Sequence, residues 1–162
     1  MKKLSMIFRN FEEIIAGTGL VITILAVSFN VVMRYFFTRS QNWAEEIASM
    51  GFAWVVFVGA AAVYKRKMHI GIDVFVNLMP LGIKSSLRWG MNIFLVFLNA
   101  YLTYLSLVFA VSAWTKPTHI LLIPYTFVDL SATVGFALMT FHAAMELTAM
   151  LRSPGKAVRG GT

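Results

Sequence analysis

Cysteine is absent from this chain, and that removes a disulfide scaffold, a thiolate metal site and a cysteine nucleophile together. Charge is nearly as scarce: 13% of the 162 residues are Asp, Glu, Lys or Arg, and only seven of those are acidic. No glycine-rich phosphate loop, no helical HExxH pair and no nucleophile with a neighbouring base occurs, so catalysis has no visible home and the chain does not read as an enzyme. No repeat period is evident either, which argues against an inverted-repeat transporter within this chain. What remains is apolar. Hydrophobic residues make up 59% of the sequence, more than a water-soluble domain of this length could hide in one core, so the chain is expected to be an all-α integral membrane protein.

Four apolar runs, the first three of them uncharged, are long enough to cross a bilayer. The first, 14–33, holds twenty residues, about 30 Å of helix. Lys2, Lys3 and Arg9 precede it as they would a signal peptide, but the run exceeds a signal peptide's apolar stretch and continues into Arg34-Tyr35-Phe36-Phe37 rather than a small-residue cleavage site. The second, 47–64, stops at Lys65-Arg66-Lys67, and the third is 89–114. Pro124 and Asp129 place the start of the fourth near residue 130 and its end near 150, leaving 153–162 as a flexible tail of a single membrane domain.

The net charge of +7 does not imply nucleic acid, because the basic residues cluster beside the apolar runs. Alternate flanking segments hold eleven and three Lys or Arg, which predicts cytoplasmic termini and a cytoplasmic middle loop, with membrane lipid as the acidic partner. In that loop His69, Asp73 and Asn77 fall at four-residue steps, while Ile72, Phe75, Val76 and Met79 would share another face. An amphipathic helix in the interface, ended by Pro80 and bordered by Lys65, Arg66 and Lys67, is one reading; alternation of Ile70, Ile72, Val74 and Val76 leaves an extended segment as the other.

Few side chains inside the runs are polar. Asn92, Asn99, Ser106 and Ala113 recur every seven residues, with Thr103 four after Asn99, which predicts a stripe that packs on another helix through interhelical hydrogen bonds, a polar pore lining being the alternative. Gly51, Ala53 and Gly59-Ala60-Ala61-Ala62 permit close approach of the second helix to a neighbour. His142 and Glu146 share a helix face. They could form a proton relay or metal pair, or simply meet water and a neighbour in the last turns. Haem is disfavoured because His69 and His119 fall in loops on opposite sides, leaving no histidine pair.

The succession WAEE at 43–46, GFAWVVFVGAAAVYKRK, HIGIDVF at 69–75 and NLMP at 77–80, after a first helix ending NVVMRYFF, resembles the DctQ-type small membrane subunit of the tripartite ATP-independent periplasmic (TRAP) transporters. The likeness covers residues from about 8 to 115, and the fourth helix by length and position only. It implies a bacterial inner-membrane scaffold subunit that binds no substrate, metal or cofactor itself. Its implied partners are a large membrane subunit, in a tight heterodimer, and a periplasmic binding protein; the large subunit would hold the sodium and organic-acid sites, for a dicarboxylate or sialic acid. A self-sufficient small transporter would want an ionisable residue within its first helix, and a redox-complex anchor would want the missing histidine pair. At the periplasmic edge Arg34, Trp43, Glu45 and Glu46 are expected to form a ledge, with Arg34 pairing the carboxylates, that fixes helix register and meets a partner; plain helix-start electrostatics, with the carboxylates at the positive end of the helix dipole, is the other reading.

Overall fold

The computed structural model describes residues 11–38, 41–65 and 81–152, so the middle-loop calls on Arg66, Lys67, His69, Asp73 and Pro80 lie outside the described residues. Within them the chain forms four α-helices: α1 (Phe11–Phe37), α2 (Asn42–Lys65), α3 (Leu81–Ser112) and α4 (Thr126–Arg152). All four are long and apolar enough to cross a membrane, and the chain is a multi-pass membrane protein.

All four helices start before their expected boundaries, and for one reason: charge marks where hydrocarbon ends, not where a helix ends. Glu12 and Glu13 occupy the first turn of α1, and Glu45 the first turn of α2, where carboxylates face the positive end of the helix dipole. The helix α4 starts at Thr126 rather than near 130. Pro124 stands just ahead of it, accepting from Phe127 N–H at 3.2 Å, and Asp129 lies in the first turn, so two residues expected to delay the helix instead begin it. The helix α3 begins at Leu81 rather than 89 and ends at Ser112 rather than 114. Thr38, at φ 54°, closes α1 in the left-handed conformation common after a helix C-terminus.

The helices pack as α1 on α2, α2 on α4 and α4 on α3. Contacts pairing Gly19 with Gly51 and Asn30 with Glu45 make α1 and α2 antiparallel; Thr103 against Thr140 and Thr126 against Ala110 do the same for α3 and α4. The result is a row of helices with seams between neighbours rather than a central core. Accordingly the buried apolar side chains are small, chiefly alanines with Val58 and Tyr64, while α1 and α3 expose most of their large apolar residues.

Two seams demand glycine. A Cβ on Gly51 would stand 2.6 Å from Thr23 Oγ1 and 3.2 Å from the Gly19 carbonyl; one on Gly135 would stand 2.7 Å from the Phe57 carbonyl oxygen of α2. Gly59 is different, since its added Cβ would make ordinary contact with Ala16 at 3.7 Å. The α3 stripe does face α4, with Asn92 and Asn99 buried. Its hydrogen bonds, however, mostly fold back: Asn99 donates to Leu95 O at 2.8 Å, Thr103 to Asn99 O at 2.8 Å and Ser106 to Thr103 O at 3.0 Å. Asn92 to Met150 Sδ at 3.5 Å, Thr103 with Thr140 at 3.4 Å and Thr126 Oγ1 to Ala110 O at 2.9 Å cross the seam. Self-satisfaction on the helix backbone lets such side chains enter an apolar seam without a partner.

Candidate functional site

Among the described residues the charged side chains lie toward the two ends of this row. At the end that holds the start of α1 and the end of α4, Glu12 on α1 is 5% exposed. Its Oε1 is 2.6 Å from His142 Nε2 on α4, and its Oε2 is 3.5 Å from Lys65 Nζ at the end of α2. One hydrogen bond joins His142 Nε2 and Glu12 Oε1, its direction set by the His142 tautomer. One carboxylate thus joins three helices, including α1 to α4, which share no backbone packing. Tyr64, buried, precedes Lys65, and Glu146 lies one turn beyond His142.

At the opposite end the ties are hydrogen bonds. Asn30 Nδ2 donates to Glu45 Oε1 at 3.1 Å, and Asn30 Oδ1 accepts from Gln41 N–H at 2.9 Å, so one α1 side chain holds both the turn and the start of α2. Trp43 packs on Phe29 with ring centroids 5.5 Å apart and donates Nε1–H to Gln41 Oε1 at 3.0 Å. Glu46 turns away toward the α3–α4 connection, where its two oxygens accept the backbone N–H groups of Ile120 and Leu121, each at 2.9 Å.

Trp43, Glu45 and Glu46 therefore do gather at one corner, but Arg34 makes no ion pair with either glutamate among the described residues; Asn30 and the connection take those carboxylates instead. Lys65, expected at a lipid surface, turns partly inward to Glu12. His142 finds its partner on α1 rather than in Glu146 one turn away. Among the described residues no group of three His, Cys, Asp or Glu could hold a metal ion. Glu12, Asn30 and Gln41 were missed by sequence reasoning. The one available signal for Glu12 was the likeness of FEEII at the start of α1 to AEEIA at the start of α2.

Residues 23–153 match the family model described as the DctQ component of the tripartite ATP-independent periplasmic transporters. The chain belongs to the DctQ family. A member of this family is a transporter component, not an enzyme. Over 51 residues the chain is 49% identical to the C4-dicarboxylate TRAP transporter small permease protein DctQ of Vibrio cholerae, covering 32% of this chain and 22% of that one. Over 93 residues it is 28% identical to the sialic acid TRAP transporter small permease protein SiaQ of Vibrio cholerae, covering 57% and 54%. It is also 23% identical over 156 residues to the isethionate TRAP transporter permease protein DctMQ of Oleidesulfovibrio alaskensis, covering 91% of this chain and 25% of that longer protein. The matched stretches thus span about a fifth to about half the length of these relatives. The DctQ match takes in Lys65 and His142 but begins after Glu12.

Proposed function

We propose that this chain is the scaffold subunit of a TRAP transporter in the bacterial inner membrane, held in a tight pair with a large membrane subunit that carries the solute and sodium sites. The observation that carries the reading is the distribution of polar groups: those described lie at helix ends and in seams, engaged in holding helices, while the flanks of α1 and α3 present wide apolar surfaces. Such a row suits support rather than passage. Solute and coupling-ion sites in secondary transporters sit near the bilayer midplane on broken helices, whereas these four helices run unbroken. The DctMQ relative, of which this chain matches a quarter, supports a large partner that in that case is continuous with the small one.

In this reading both termini face the cytoplasm and the corner of Glu45 and Glu46 faces the periplasm, where a binding protein delivers the solute. The solute is a small organic acid of the dicarboxylate or sialic acid kind, as the names of two relatives support. The test is co-purification. A tagged chain expressed with its genomic neighbours is extracted in mild detergent and reconstituted; a large membrane protein at a 1:1 ratio, with sodium-driven uptake that needs the binding protein, is the expected result. A chain that elutes alone and moves a solute alone overturns the proposal.

A further inference from the structure

The connection between α3 and α4 is built for a different contact. Residues 116–125 form a narrow hairpin closed by a bridge between Pro117 and Pro124. Thr118 N–H donates to Ile123 O at 2.8 Å and Tyr125 N–H to Lys116 O at 3.0 Å, while Thr118 Oγ1 accepts from Ile123 N–H at 3.1 Å. Leu122 takes φ 54° to make the turn. The tip N–H groups of Ile120 and Leu121, which the hairpin itself does not satisfy, are those that Glu46 accepts. Two tip N–H groups are thereby satisfied without water, which lowers the cost of seating the tip in an interfacial layer.

Its side chains point the other way in character. Leu122 is 70% exposed and Ile120 44%, with Trp114, Tyr125 and Phe127 also exposed beside them. Because Glu46 lies only one turn into α2, its grip holds the tip near the level of Trp43 and the helix ends rather than above them. That level, with tryptophan and tyrosine around it, is where a bilayer changes from acyl chain to headgroup. Phe109 and Val111 likewise stand exposed on α3, which leads into the hairpin.

We propose that the 116–125 hairpin is a shallow membrane wedge: Ile120 and Leu122 seat in the interfacial layer of the leaflet at this end, with Glu46 as the strut that satisfies the tip backbone. The occupant is lipid, not protein. Its surface is an apolar edge flanked by aromatics, with Lys116 and His119 exposed toward headgroups and water. The inference rests on the membrane-spanning reading alone and holds whichever subunit partners the chain.

The absence of native cysteine makes the test direct. Leu122→Cys, Ile120→Cys and His119→Cys, each labelled with an environment-sensitive fluorophore, are placed in nanodiscs of phospholipid brominated at shallow or deep acyl positions, as the single chain and as the co-purified complex. Expected are blue-shifted emission at 122 and 120, with shallow-bromine quenching about twofold stronger than at 119, and loss of that difference on adding Glu46→Gln. Water-like emission at 122 and 120 in both preparations overturns the proposal. So does a blue shift without bromine quenching that arises only in the complex, since the tip's occupant would then be protein.

Discussion

The two ends of this helix row solve one problem by different means. At the Glu12 end a single buried carboxylate with two nitrogen partners ties α1, α2 and α4. At the hairpin end several neutral or half-exposed hydrogen bonds from Asn30, Gln41, Glu45 and Glu46 divide the work. A concentrated tie is strong while intact and costly when cut, because removing one member leaves a buried partner uncompensated. A distributed tie loses little with any single member. The first end should therefore fail sharply and the second should soften.

The largest effect that would sharpen this contrast is at Glu12. Glu12→Ala should cost about 3–5 kcal/mol, the usual penalty for cutting a buried ion pair, read as a lower thermal midpoint in detergent. Next is the seam midway between the ends, where Gly135→Val must push α4 off the Phe57 backbone at a cost of about 1–3 kcal/mol, again seen in the midpoint. Third is Asn30→Ala, expected to cost about 1 kcal/mol as one polar tie among several; a loss as large as that at Glu12 would break the contrast. Glu46→Gln should act locally, speeding amide exchange at Ile120 and Leu121 while leaving the midpoint nearly unchanged. Smallest is Gly59→Ala, within about 0.5 kcal/mol, since space is available there.

Much of the architecture is legible in the residue pattern, because a bilayer imposes a length and a polarity on every span. The four runs, the buried α3 stripe and the close approach at Gly51 all follow from that constraint. Helix ends do not. Glu12 and Asp129 read as limits of burial, yet each sits within a first turn, where the backbone favours negative charge, as it does at Glu45. Partner choice is less legible still. His142 and Glu12 are 130 residues apart, and nothing local in either segment distinguishes that pairing from the nearer His142 and Glu146. Likewise the stripe of Asn, Thr and Ser announces a seam, but not that its hydrogen bonds return to its own helix.

The central claim is that these polar groups hold helices and do not handle a solute. It is tested most directly by uptake in liposomes containing the assembled complex with Glu12→Gln, normalised to the amount of complex present. The account predicts a lower thermal midpoint with near-normal uptake per assembled complex. A complex that assembles fully and keeps its midpoint, yet no longer takes up solute, would contradict it and place Glu12 and His142 in an ion pathway.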